Sequence, residues 1–325
     1  MWRADALLMS GTGMLADSGE GPSGLPYEIL KWSLAAWLCR RRLLFVSVGV
    51  EPMLHWLSRF FIRTSLRLAG YRSYRDAQSR ALLQRIGFPA GGDAVYPDLA
   101  FSLPASLADR VVPHGPSARP TVAVGLYDYC GRGAVSAVQA QAYRGYLDKL
   151  CTLVHWLLER GYSVRIIISD LSYDEDVRLD LRAALEARGG GLAAGRVIDE
   201  PATSVDALVG QIAEAELVVA TRFHHVLLAL FLGKPVLSVS YNAKNDALMA
   251  EVGLAGFCQS IDGFDVERLI QQLQTLRNEW ARLCEGVRAR TSQSRAELER
   301  QYALIFGSTG GGATLAAAAP ASREA

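Results

Sequence analysis

Charge of one sign, paired cysteines and an unbroken apolar run of membrane length are all missing from this sequence, and each absence narrows what the chain can be. Its 34 basic and 33 acidic residues leave a formal net charge of +1. So close a balance gives no electrostatic case for nucleic acid or an acidic membrane face, while a local basic cluster still suffices for a small anionic ligand. The cysteines, Cys39, Cys130, Cys151, Cys258 and Cys284, are scattered and show no C-x-x-C spacing. This removes support for a zinc site or a thioredoxin-like motif and reads as buried thiols in a reducing compartment. The most hydrophobic window, residues 34–50, is split by Arg40, Arg41 and Arg42. Three arginines in mid-bilayer are very costly, so the window reads as a helix that ends at a basic turn, followed by a buried strand. Arg3 and Asp5 fall where a signal peptide needs its apolar core, so no signal peptide and a cytoplasmic location are expected.

What is present is a large apolar fraction, half of 325 residues, enough for two domains. Asp5–Ser10 is a short apolar run entering the glycine turn Gly11-Thr12-Gly13. Helical spacing over Tyr27–Arg40, Met53–Ala69 and Asp76–Ile86 alternates with strand-like runs at Leu43–Val48 and Tyr71–Tyr74. Asp76, with Ser79 three residues on, reads as an N-cap. Residues 103–120 carry Pro104, Pro113, Pro116 and Pro120 and read as a linker. The alternation then restarts, with strands at Thr121–Leu126, Val164–Ile168, Arg196–Ile198, Leu217–Ala220 and Val236–Val239. The helices between and after them are Gln139–Arg160, Asp174–Arg188, Ser204–Ala215, Phe223–Leu232 and Asn245–Val252, before a largely helical end over Val266–Phe306. The pattern predicts an α/β protein of two Rossmann-like domains, residues 1–107 and 108–306, and a disordered tail over 307–325. In such sheets ligands lie beyond the carboxyl ends of the strands, so functional residues are expected just after them.

The richest stretch runs from Leu217 to Gly253. Arg222 and His224 follow a buried strand and open an almost wholly apolar helix, and the next strand ends at Tyr241-Asn242-Ala243-Lys244. A guanidinium, an imidazole and an ammonium beside a helix N-terminus suit a ligand bearing phosphate and carboxylate. His225 points about 100° away from His224 on a helix, so it reads as packing, and nothing suggests a metal.

The pattern R-F-H-H, then G-K-P, then Y-N-A-K resembles the C-terminal signature of polysaccharide pyruvyl transferases. Asp5–Leu15 is similar to that family's strand and glycine loop, Ser73–Ser79 to its V-R-D-x-x-S segment, and Val95–Asp98 to the Pro-Asp closing its first domain. The resemblance implies a GT-B-like fold and transfer of the enolpyruvyl group of phosphoenolpyruvate to a sugar hydroxyl as a ketal. It implies no cofactor, and a glycan or lipid-linked glycan as acceptor, with the chain peripheral to a membrane through that acceptor. By matched position it makes His224 and Arg222 catalytic candidates. Arg75, Lys244, Tyr241, Asn242, Gly11 and Gly13 become candidates for substrate binding, while Asp98 is expected to fix the turn after Pro97. Family members generally begin with a further strand and a G-N-x-G-D loop, so the first domain is expected to be N-terminally incomplete, with Asp5–Ser10 a strand inside its sheet.

Two rival enzyme readings share this architecture. Gly11-Thr12-Gly13-Met14-Leu15-Ala16 fits G-x-G-x-x-A formally, but Gly19, Gly21, Pro22 and Pro26 replace the helix a dinucleotide site needs. A nucleotide-sugar glycosyltransferase of GT-B type is the stronger enzymatic alternative, and an inactive remnant that keeps the fold is the non-enzyme one.

Overall fold

The computed structural model describes residues 4–11, 13–17, 21–109, 120–129, 136–189 and 195–307. Its strands form two separate parallel sheets, and contacts divide the chain into two units, Met1–Ser102 with Gln293–Ala325, and Leu103–Ser292.

The first unit runs β1 (Ala6–Ser10), α1 (Leu25–Leu38), β2 (Arg42–Val48), α2 (Trp56–Leu68), β3 (Tyr71–Tyr74), α3 (Ala77–Arg85) and β4 (Ala94–Val95). The strand order is β1-β2-β3-β4, every pair parallel. Each crossover therefore steps the same way across the sheet, and right-handed crossovers put α1, α2 and α3 on one face. Asp76 caps α3 by accepting from Ser79 N at 2.5 Å, as its sequence position predicts. Strand β1 pairs with β2 alone among the described residues, and Leu8 on it is exposed, so apolar surface is left uncovered at this side of the sheet as the sequence reading expects.

The opposite face of this sheet receives the end of the last helix. Gln301, fully buried, donates to Ser73 Oγ at 2.7 Å and to Tyr71 Oη at 3.3 Å and accepts from Ser47 Oγ at 3.1 Å. Ser47 has a φ of +48°, unusual for a side chain with a Cβ, at the register shift between Phe45 and Val48. This buried polar network holds that irregular strand in place.

The second unit begins with the short α4 (Ala105–Ala108) and continues with β5 (Thr121–Gly125), α5 (Ala137–Glu159), β6 (Ser163–Ile167), α6 (Asp174–Ala187), β7 (Val197–Ile198) and α7 (Val205–Glu214). It goes on through β8 (Leu217–Ala220), α8 (Phe223–Phe231), β9 (Val236–Ser240), α9 (Ala243–Glu251), β10 (Cys258–Ser260), α10 (Val266–Asn278) and α11 (Trp280–Phe306), whose second half groups with the first unit. Of the expected linker, residues 110–119 lie outside the described residues, as do residues 308–325 of the expected tail.

The sheet order is β10-β9-β8-β5-β6-β7, all parallel. Strands β8 and β9 are buried at every residue, as central parallel strands covered on both faces must be. Helix α8 is apolar all round and buried but for His224, the condition for a helix inside a core. It ends at Gly233, whose φ of +70° suits glycine, and there the Arg288 side chain packs so close that a Cβ would lie 2.7 Å from its Cγ. Lys234 then turns inward and is 2% exposed. Its Nζ donates to Ile212 O at 3.1 Å, to Ala213 O at 2.6 Å and to Ala215 O, the carbonyls that α7 leaves unpaired at its end.

Candidate active site at the carboxyl edge of the second sheet

Strands β8 and β9 are parallel neighbours, so they deliver the starts of α8 and α9 side by side at one sheet edge. Thr221 carries the chain out of β8, and its carbonyl accepts from Asn245 Nδ2 at 2.9 Å, which ties the two helix starts together. Asn242 is the N-cap of α9, accepting from Lys244 N at 3.0 Å and Asn245 N at 3.1 Å. The helix thus begins two residues earlier than the sequence reading has it, because an extended Asn242 is a good cap. Lys244 consequently sits in the first turn of α9. Arg222 occupies the N-cap position of α8 and supplies no side-chain cap. Two positive helix ends are therefore adjacent, the arrangement that attracts anions.

Arg222 is held on three sides. Its Nε donates to Asp174 Oδ2 at 2.9 Å and its Nη2 to Asp174 Oδ1 at 2.6 Å, a two-pronged fork onto a carboxylate with no solvent exposure. Asp170 approaches Nη2 at 3.7 Å. The guanidinium lies 4.8 Å from the Tyr127 ring centroid, and Tyr127 is itself stacked on Tyr241 at 4.2 Å. Burial opposes the charge on Arg222, but the Asp174 bonds and the two carboxylates outweigh it and raise the pKa. Burial likewise raises the Tyr127 phenol, aided by Tyr241. Among the described residues Nη1 takes part in neither ion pair, so its N–H groups remain for a further anion.

The two histidines part as their helical spacing requires. His224 is exposed in the first turn of α8, edge-on to Phe223 with ring centroids 5.6 Å apart. His225 is fully buried against β5, where a Cβ on Gly125 would lie 2.5 Å from its Nδ1. Burial, helped by the charges of Arg222 and His224, lowers its pKa to about 3, so it packs as a neutral ring with both nitrogens unpartnered.

Gly11, Gly13 and Arg75 belong to the first unit. Gly11 takes a φ of +50° with its N donating to Val46 O at 3.0 Å, and Gly13 is half-buried. Thr12 between them lies outside the described residues. Arg75 follows β3 and packs over Gly49, where a Cβ would meet its Cζ at 2.6 Å. Its guanidinium is 3.4 Å from both Asp76 and Asp98, and Asp98 also accepts from Ala100 N at 3.0 Å. Asp98 therefore fixes the turn after Pro97 and pairs with Arg75 as well. The site thus joins Arg222, His224, Tyr241, Asn242 and Lys244 at one edge. Sequence reading misses Asp174, Asp170 and Tyr127. The available signal was their position just after β6 and β5, on the same edge.

The family model described as polysaccharide pyruvyl transferase matches residues 2–243. A search of curated proteins finds no match. Among solved structures, a provisional UDP-N-acetylglucosamine 2-epimerase from Listeria monocytogenes superposes with a TM-score of 0.58 at 14% identity, over 94% of this chain and 75% of that one. The UDP-GlcNAc 2-epimerase from Methanocaldococcus jannaschii gives 0.54 at 11% identity, over 84% and 70%. The α,α-trehalose 6-phosphate synthase from Burkholderia multivorans gives 0.53 at 12%, over 85% and 67%. At these identities the likeness establishes the fold alone, the GT-B type with two Rossmann-like sheets.

Proposed function

The chain belongs to the polysaccharide pyruvyl transferase family, and from that premise we propose that it transfers the enolpyruvyl group of phosphoenolpyruvate to a glycan, forming a pyruvate ketal. The observation that carries the reading is the preorganised cation of Arg222. It is locked by Asp174 and Tyr127 beside two helix N-termini, with Nη1 left over and His224 two residues further along the chain. A guanidinium already oriented loses little freedom when it takes a phosphate or carboxylate.

In the proposed reaction the methylene carbon of the donor gains a proton and a sugar oxygen bonds to the adjacent carbon. The C–O bond to phosphate breaks, and a second hydroxyl of the same acceptor closes the ketal. The products are the ketal and inorganic phosphate. His224 is the proposed general acid–base group, because imidazole is the side chain suited to give and take a proton at working pH and this one stands exposed on the first turn of α8. Lys244, Tyr241 and Asn242 are proposed to bind substrate at the same edge, and the resemblance adds Gly11, Gly13 and Arg75 from the first unit. The protein is proposed to work in the cytoplasm.

Calorimetric titration with phosphoenolpyruvate and, separately, with UDP-N-acetylglucosamine tests this directly. Saturable binding of phosphoenolpyruvate that weakens in Arg222→Lys supports the reading. Binding of the nucleotide sugar alone would move the chain to the glycosyltransferase alternative, and binding of neither would leave it an inactive relative.

A further inference from the structure

Overall neutrality conceals a local asymmetry in the first unit. Helix α1 is apolar nearly all round, yet it is not enclosed. Ile29, Ser33 and Ala36 face the sheet, while Tyr27, Leu34, Trp37 and Leu38 are exposed, Leu38 at 72%. An all-apolar helix is ordinarily buried on every side, so this one lacks a cover. Helix α2 repeats the feature. Its Ile62 and Leu66 are buried, whereas Trp56 is 70% exposed and Phe60 is exposed beside it.

The two exposed faces form one surface. Both helices lie on the same side of the sheet and run in the same direction, and Tyr27 near the start of α1 meets Phe61 of α2 with ring centroids 6.3 Å apart. Positive charge accompanies the aromatics. Helix α2 carries Arg59, Arg63 and Arg67 and no acidic residue; Arg67 is exposed, while Arg59, whose Nε donates to Met53 O at 3.0 Å, and Arg63 are half-buried, and the exposed Arg40 follows the end of α1. Of the acidic groups nearby, Glu28 pairs with Lys31 at 2.5 Å, Asp17 accepts from Leu54 N and His55 N, and Glu51 is half-buried. With 14 residues, α1 is about 21 Å long, short of the ~30 Å a bilayer core needs. None of the described helices is long and apolar enough to cross a membrane.

We propose that the α1–α2 face docks in the plane of an anionic lipid surface, with the Trp and Phe rings at headgroup depth and the arginines on the phosphates. Tryptophan and tyrosine favour that boundary, and arginines beside an apolar face are the signature of interfacial binding to anionic lipid. A second copy of the chain fits less well. A two-fold interface would bring each patch against itself and set the α2 arginines of one copy against those of the other. The inference is independent of the reaction, since it uses no residue of the candidate active site.

Sedimentation with vesicles of equal parts phosphatidylcholine and phosphatidylglycerol tests it on the full chain without substrate. The expected result is partition into the mixed vesicles at low salt, little partition into pure phosphatidylcholine, and a shift of tryptophan emission to shorter wavelength. Leu38→Ser with Phe60→Ser should abolish partition. Arg67→Gln, at an exposed position, should lower it roughly five-fold, the worth of one basic residue at an anionic surface. Circular dichroism and thermal unfolding check that these surface variants remain folded. No partition, partition unchanged in the folded double variant, or a concentration-dependent dimer that the double variant abolishes would each overturn the proposal.

Discussion

Arg222 is held by Asp174 through two hydrogen bonds, at 2.9 and 2.6 Å, onto a carboxylate that solvent does not reach. The pair makes the orientation of Arg222 a property of the fold rather than of the ligand. Asp174→Asn keeps the volume but replaces one accepting oxygen with a donor facing another donor. Breaking a buried pair this way costs several kcal/mol. Because the Arg222 side chain is a fifth exposed, the expected loss is at the lower end, about 2–3 kcal/mol. Urea unfolding should show it. Under the proposed function the same variant should weaken phosphoenolpyruvate binding, read by calorimetry in conditions where it stays folded.

The assignment of His224 to proton transfer carries its own test. His224→Gln should lower turnover by roughly two to four powers of ten, the usual worth of a general acid–base group, with little change in donor affinity. The variant should also lose one limb of the pH–rate profile. Near-normal phosphate release would remove His224 from the chemistry and leave it a surface residue of the first turn.

His225 makes a pH prediction of the opposite kind, about stability. Folded, its pKa is lowered to about 3 by burial, by Arg222 and by His224, while unfolded it titrates near the ordinary histidine value of 6.5. Between those values the unfolded chain binds a proton that the native state refuses. Stability is therefore full above about pH 6.5 and falls as the pH drops towards 3, by at most ~1.4 kcal/mol per pH unit. His225→Leu should flatten this part of the stability curve, measured by urea midpoints from pH 7 to pH 4. An unchanged acid slope in the variant would assign the loss to other groups.

How far each feature could be read from the sequence depended on how local its cause is. The passage from β8 to α8 was legible because an apolar strand, a cationic turn and an apolar helix are all contiguous, so Arg222 and His224 fell where expected. Cap chemistry at Asp76 was legible for the same reason. Asp174 was not, because its bond to Arg222 spans 48 positions and only the strand order brings β6 and β8 either side of β5. Strands β4 and β10 were missed because two and three residues carry no period. The global charge balance misled in another way, since it averages away the arginines of α2.

The G-K-P stretch gives the last case, where the sequence offers a signature and the structure a reason. Burial pulls the Lys234 ammonium down to about 8, so it remains charged at pH 7, and it spends that charge on three carbonyls at the end of α7. A cation there also complements the negative end of the helix dipole. Lys234→Met keeps the stem and removes the donor, leaving several buried acceptors without a partner. At about 1–3 kcal/mol for a buried group left unsatisfied, partly offset by no longer burying a charge, the expected loss is about 3 kcal/mol in urea unfolding. Lys244 is exposed to solvent in part and sits at the candidate site, so Lys244→Met should do the reverse: little loss of stability and weaker phosphoenolpyruvate binding. Measuring both quantities on both variants separates a lysine that builds the fold from one that meets the ligand. A stable Lys234→Met protein that has lost only donor binding would reverse the two assignments.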